Sequence, residues 1–504
     1  MRANVFWSAL EAAGAALFAV TAAFLIARLI GPTELGIGAT AVAMHVLLWV
    51  AVNALFADAI VQRDSMDEAT LSSAAWASTA VGCGAAAIQA ASGWLLAWML
   101  DDARLVPMAL LLAVPFPFVG MGGALQGLLT RQRRYRALAA RTLIGQGSGM
   151  AIGIALASVR AGAWAPVVQQ ATGSLLAALV LMGVAGWRPR AVCHWSAVRS
   201  LLRIGLPLTA STLLQIGRYR VFAILIGGSA GATALGQIHV AFRLVDTVRD
   251  IAFTALWRLL LPILSEHQHD SAALLRQVDR LLRLSSLGMM PLCGGLAVSL
   301  VPLTTLILGP AWQAAGIAAE PLVALTAFSA LMFPSGVALI AVGQSRFTLY
   351  ANLAALAATM LFVPLFRPAT PWQAVLVWCG VQALVIPYSL WANARALGVG
   401  PARPLRAGVP LLLIAAIGVA SAMLVDAGLL LGRRVAVFAG VVMACGVPLL
   451  WAMRGTYFPA RPGERFGSAS RDVIGGDAGG QRGGVPAGSI ASKIDRSLVR
   501  RART

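Results

Sequence analysis

The chain has 504 residues, 59% of them hydrophobic and only 12% charged, with a mean hydropathy of +0.80. Soluble domains carry about 25% charged residues, so a water-covered globule of this length is excluded and lipid must replace water around most of the surface. The charge is biased, 39 Lys+Arg against 19 Asp+Glu, but the cations sit between apolar segments, which fits loops on anionic headgroups and argues against nucleic acid as a partner.

A spanning helix needs about 20 predominantly apolar residues. Cutting at charge clusters and Gly/Pro breaks predicts about fourteen such segments, near 5–30, 36–61, 72–99, 104–129, 138–158, 162–185, 202–226, 232–258, 284–308, 314–342, 346–367, 371–392, 407–425 and 432–453. The first is longer than the 7–15-residue apolar core of a cleaved signal, and it carries Glu11, so it reads as a spanning helix. In the fourth, Pro107, Pro115 and Pro117 interrupt the helical pattern. Asp426 and Arg433-Arg434 crowd the junction of the last two. Residues 264–283 read as a short amphipathic helix lying on the membrane surface, and 459–504 as a disordered basic tail. The expected organisation is an all-α polytopic membrane protein. Residues 1–200 form a first lobe of helices 1–6, residues 201–395 a second lobe of helices 7–12, and residues 396–458 helices 13–14.

The connecting segments alternate in charge. One set holds Arg131, Arg133, Arg134 and Arg136; Arg188, Arg190 and Arg199; Arg276, Arg280 and Arg283; and Arg395, Arg403 and Arg406. The other set is short and carries far fewer cations. The positive-inside rule places the first set, and both termini, in the cytoplasm of a bacterial cell, with the chain in the inner membrane. No outer connection is long enough for a catalytic domain.

The segment Ile30-Gly31-Pro32-Thr33-Glu34-Leu35-Gly36 has a counterpart in Ala230-Gly231-Ala232-Thr233-Ala234-Leu235-Gly236. Gly, Thr, Leu and Gly recur in register, after the first and the seventh helix, as parallel repeats of a transporter would.

The first of these turns resembles that of the polysaccharide flippases in the multidrug/oligosaccharidyl-lipid/polysaccharide exporter superfamily, specifically the Wzx/WzxC-like lipopolysaccharide biosynthesis group. Other segments share the likeness: Ala57-Asp58-Ala59-Ile60-Val61-Gln62-Arg63-Asp64 followed by Trp76, Trp187-Arg188-Pro189-Arg190, Gly205-Leu206-Pro207-Leu208, Leu235-Gly236 with Ala241-Phe242-Arg243-Leu244, and Leu261-Pro262-Ile263-Leu264-Ser265. The chain departs from the family pattern at Ala57 and at Gln237-Ile238. The likeness runs from about residue 20 to 345. It implies a fourteen-helix flippase with two pseudo-symmetric lobes around a central cavity that opens alternately to each membrane face. The implied cargo is an undecaprenyl-diphosphate-linked oligosaccharide for exopolysaccharide, capsule or O-antigen synthesis. No cofactor is implied; a proton or sodium gradient drives transport. Membrane lipids, a polysaccharide polymerase and a chain-length regulator are the implied partners.

A diphosphate headgroup calls for cations in a wet cavity, and Arg stays charged and grips phosphate oxygens with a planar fork. Arg243 lies near mid-depth of the eighth segment, with Asp246 and Asp250 on the same face and Arg249 at its edge. Either this is a cavity-lining stripe, or Arg243 and Asp246 simply pair with each other. Arg218 and Arg220 lie about 200° apart on the seventh helix, so one faces the cavity while the other packs between helices. Gln215 is a candidate neighbour of Arg218, and His239, one turn before Arg243, a candidate member of the stripe. Arg28, near the outer end of the first helix, is a further cavity candidate, although snorkelling explains it equally. Asp246, Asp250, Asp58 and Glu11 are the candidates for ion coupling.

The five His residues form no metal set, and the five Cys are scattered singly as apolar fillers. Two other activities fit the composition. A drug/cation antiporter of the same superfamily would need an acidic cavity rather than Arg residues. A membrane polysaccharide polymerase or ligase would need a large outer loop.

Overall fold

The computed structural model describes residues 2–63, 66–267, 270–344, 346–397, 413–420 and 431–452, and every described element is helical. Nine helices among them are long and apolar enough to cross a membrane. Two are too long for a single crossing. Helix α1, Arg2–Gln62, has 61 residues, and α7, Trp195–Ser265, has 71. At about 1.5 Å per residue either is more than three times the thickness of the hydrocarbon layer, about 30 Å.

Each of the two breaks at one residue. Gly31 has φ 79°, ψ 173°, and Gly231 has φ 80°, ψ 172°, a conformation essentially reserved to glycine. Helix resumes at once on both sides. The loops expected at 31–35 and 227–231 are therefore single-residue elbows, because only one glycine in each leaves the helical conformation. The two elbows meet. Thr33 Oγ1 lies 2.8 Å from Thr233 Oγ1. A Cβ built on Gly36 would fall 1.8 Å from the carbonyl oxygen of Ala232, and one on Gly236 would fall 1.9 Å from that of Pro32. The reciprocal contact shows that the sequence repeat is a repeat in space.

Between the long helices lie α2 (Glu68–Leu100), α3 (Leu105–Ala113), α4 (Phe116–Arg131), α5 (Tyr135–Ser158) and α6 (Trp164–Ala185). The fourth expected segment is broken where the prolines fall, at Pro115 between α3 and α4. After α7 come α8 (Ser271–Leu308), a short 3-10 turn (Pro310–Trp312), α9 (Gln313–Ala341), α10 (Arg346–Phe366) and α11 (Pro371–Leu397). Residues 413–420 are helical, and α12 is Leu431–Ala452. Most of the expected thirteenth segment, the loop with Arg403 and Arg406, and the expected tail lie outside the described residues. Helices α2–α6 pack on one another and on α1. Helices α8–α11 pack among themselves and on α7, and α1 and α7 join the two lobes.

The expected amphipathic surface helix is not a separate element. Asp270 caps α8 by accepting bonds from the backbone N–H of Ala272 and Ala273, and the helix runs unbroken into the next span. Leu274 and Val278 are buried against Leu260 and Leu264 of α7 and Val337 of α9. Their apolar stripe faces protein rather than lipid.

Turn residues touch one another at each end of the bundle. At one end Arg131 donates to the carbonyls of Ile60 and Arg63, Arg63 bonds Ser200 Oγ at 3.0 Å, and Trp76 Nε1 donates to the Arg190 carbonyl at 2.8 Å. This is the arginine-rich end. At the other, Glu34 beside the elbow accepts from Arg104 at 3.1 Å and from the Ala163 N–H at 2.7 Å. Asp102 joins the same guanidinium at 2.8 Å. The hydrogen bonds from the Arg104 guanidinium hold the Asp102 carboxyl below its ordinary value, and hydrogen bonding to the two carboxylates raises Arg104.

Candidate functional site: a two-chambered internal cavity

Two chambers with charged and amide side chains in largely apolar walls lie inside the bundle. The first, about 630 Å³, is lined from α1, α4, α5 and α6 by residues that include Glu11, Trp49, Asn53, Arg141, Gln146 and Gln170. The second, about 280 Å³, lies between the lobes and is lined by Tyr219, Arg220, His239, Arg243 and Asp246 of α7 together with residues of α1 and α6. Ala19, Val46, Gln169 and Gln170 line both, so the chambers adjoin.

The long helix α7 supplies the cations. Arg243 lies 12 residues beyond the elbow at Gly231, about 18 Å along the helix and so near mid-membrane. Its Nε and that of Arg220 are buried without a hydrogen-bond partner. Neither guanidinium forms an ion pair among the described residues, where Asp246 is taken by Arg249 at 2.8 Å and Asp250 by the same Arg249 at 3.0 Å. The sequence left open an Arg243–Asp246 pair as the alternative to a cavity-lining stripe. The structure selects Arg249 and leaves Arg243 facing the cavity.

Arg220 and Arg218 divide as expected. Arg220 lines the second chamber and lies over the Tyr219 ring, 5.4 Å from its centroid. Arg218 points elsewhere: Nη1 donates to Gln382 Oε1 at 3.1 Å, and the guanidinium sits 5.3 Å from the Trp378 ring. It is a packing residue between α7 and α11, and Gln382 rather than Gln215 is its amide partner. Phe242, in the chamber wall, packs with Phe222 and Trp378 in an aromatic core with centroids 5.0 to 5.9 Å apart. Tyr219 Oη lies 3.4 Å from His239 Nδ1, so His239 does join the stripe.

The remaining candidates separate. Arg28 is exposed, lines neither chamber, and donates to the carbonyl of Ile307 at 2.7 Å, closing the end of α8 onto α1. Arg249 serves Asp246 and Asp250 outside the chamber lining. Asp58 is exposed and away from both chambers, and Asp250 is exposed. Glu11 lines the first chamber and accepts from Thr142 Oγ1 at 2.6 Å.

Arg141 was missed from the sequence. It donates to Gln126 Oε1, which also accepts from Asn53 Nδ2 at 3.1 Å, and its Nε has no partner. Its position inside the fifth segment, near the basic loop at 131–136, hid it among the interfacial arginines. His45, also in a span, is structural: it is fully buried, bonded to the Leu112 carbonyl at 3.0 Å and to Ser174 Oγ at 3.1 Å.

Fold and cavity together define a polytopic helical membrane protein with charged and amide side chains on the walls of internal chambers. The chain belongs to the polysaccharide biosynthesis protein family, whose model matches residues 25–316. That stretch holds both elbows and every chamber residue of α7. It is 23% identical over 316 residues to the succinoglycan biosynthesis transport protein ExoT of Rhizobium meliloti (strain 1021), a match covering 61% of this chain and 63% of that one. It is 23% identical over 299 residues to the teichuronic acid biosynthesis protein TuaB of Bacillus subtilis (strain 168), covering 58% of this chain and 62% of that one. The matches thus span less than two thirds of these relatives. In fold it is similar to the lipid II flippase MurJ in an inward closed conformation (TM-score 0.72, 11% identity, 89% of this chain and 100% of that one). It is similar also to a multidrug resistance MATE family transporter of the MOP superfamily in an inward-facing conformation (TM-score 0.60, 13% identity, 76% and 95%).

Proposed function

We infer that the protein is a flippase that carries an undecaprenyl-diphosphate-linked oligosaccharide across the bacterial inner membrane by alternating access, for exopolysaccharide, capsule or O-antigen synthesis. The observation that carries this reading is the pair Arg220 and Arg243 on the wall of an internal chamber, without a carboxylate partner among the described residues. A guanidinium buried without a counter-charge is costly in a membrane, and a diphosphate supplies that counter-charge with matched geometry. A cavity built for cationic drugs would need the opposite sign. The role is transport rather than covalent chemistry.

The arginine-rich end is the cytoplasmic one under the positive-inside rule, with both termini on that side. A proton or sodium gradient supplies the driving force, and Glu11 and Asp246 are the coupling candidates that line the chambers. A polysaccharide polymerase and a chain-length regulator take the product onward.

The test is export of polymer by cells whose only copy is Arg243→Ala. Export is expected to fall to background while the level of the protein in the membrane is unchanged. Normal export by that variant refutes the assignment.

A further inference from the structure

The two chambers differ in chemistry. In the second, Arg220 and Arg243 outnumber the one carboxylate, Asp246, which Arg249 already neutralises. In the first, one Arg and one Glu cancel, and the rest of the polar lining is neutral, mostly amide: Asn53, Gln146, Gln169 and Gln170. Gln146 and Gln169 make no side-chain hydrogen bond among the described residues. Gln170 spends one N–H on Ser174 Oγ at 3.2 Å, and its carbonyl oxygen stays open. Trp49 lines the same wall, packed against Val52, Ala85 and Phe116. Small residues of α1, Ala12, Ala15 and Ala19, leave the room.

A side-chain amide donates and accepts at once, as each sugar hydroxyl does, and an aromatic face suits the apolar side of a pyranose ring. Neutral amides do little for a phosphate compared with guanidinium. At about 630 Å³ the chamber falls within the 300–1,000 Å³ range of small-molecule sites. Gln169 and Gln170 lie at its junction with the arginine chamber.

We propose that the first chamber is a saccharide subsite, in which Gln146, Gln169, Gln170 and Asn53 bind hydroxyls of a neutral sugar, while the diphosphate attached to that sugar lies on Arg220 and Arg243. The proposal rests on the lipid-linked cargo inferred above and adds where its sugar sits and what holds it. The cargo then has a fixed orientation, with the sugar toward α5 and α6 and the phosphates toward α7.

Binding to the purified full-length protein in nanodiscs tests it, with two probes: polyprenyl diphosphate, and the same lipid bearing a neutral disaccharide. Gln169→Ala/Gln170→Ala is expected to weaken the glycosylated lipid about tenfold and to shift the bare diphosphate by no more than about twofold, since each neutral hydrogen bond is worth a few-fold in affinity. Gln146→Ala, at an exposed cavity-wall position, is expected to act in the same direction, and its retained binding of bare lipid reports an intact fold. Arg243→Ala is expected to weaken both probes alike. If the glutamine variants lower both probes equally, or neither, the saccharide subsite is wrong. If Arg243→Ala leaves both unchanged, the diphosphate reading fails, and the glutamine result still decides the subsite independently.

Discussion

Arg218 and Arg220 are two residues apart and have opposite duties. The first spends its charge on the Trp378 ring and an amide of α11; the second stays available in the chamber. Arg218→Ala should therefore cost stability, about 1–2 kcal/mol from the lost cation–π contact and hydrogen bond, seen as a lower melting temperature of the purified protein. Arg220→Ala should cost less stability than that while export is lost, because removal of a buried cation with no ion pair among the described residues offsets the lost contact with the Tyr219 ring. The same drop in stability from both would show that Arg220 is also structural. Helical geometry made the division of labour legible in the sequence, since 200° separates the two side chains. Which one faced the cavity was not legible, because Gln382 comes from a helix 164 residues away. Arg141 is the sharper case. Its neighbour Gln126 comes from α4, and its other chamber-mate, Glu11, from the far end of α1.

At the scale of the element, the elbows are the most constrained features. Gly31→Ala or Gly231→Ala places a side chain at φ near 80° with ψ near 170°, at a cost of order 1–3 kcal/mol each. Gly36→Ala and Gly236→Ala keep a helical backbone but drive a methyl into the carbonyl of the facing elbow. Overpacking of this kind costs about 1–3 kcal/mol. All four should lower the melting temperature, and the Gly36 and Gly236 variants should do so equally because the contact is reciprocal. Unequal shifts would mean that the lobes lean on one elbow more than the other. The repeat of Gly, Thr, Leu and Gly was visible in the chain. That the two copies touch was not, since a repeat says nothing of the distance between its members. The surface helix expected at 264–283 failed for a related reason. An amphipathic stripe is the same whether its apolar side meets lipid or Leu260 and Val337.

Over the whole molecule the apolar helices and the basic end were written in hydropathy and charge, the strongest signals a membrane chain carries, while the two-lobe plan came from the repeated turn and the family resemblance. The two lobes nevertheless differ at one corresponding position. Glu34 locks its elbow to the turns that precede α3 and α6, and its counterpart 200 residues on is Ala234. Arg104, which joins this cluster, also pairs with Asp102 at 2.8 Å, and that pair answers to pH. Arg104 holds the folded Asp102 carboxyl below its ordinary 3.8, so the stabilisation it lends is present above that value. It is lost as pH falls through the folded pKa. Melting temperature in detergent should fall with pH below about 4, and Arg104→Ala should flatten that part of the curve. An unchanged slope in the variant would assign the acid sensitivity to other carboxylates.

The Thr33–Thr233 contact has one more implication. A residue that meets its own repeat at 2.8 Å sits where a twofold axis would pass through a homodimer. A chain of half this length, carrying one elbow, would make the same contact with a second copy of itself. The full-length protein reads as such a dimer fused end to end, after which the halves were free to diverge. One copy could acquire the carboxylate of Glu34 and the other the arginines of α7 without either change being imposed on both.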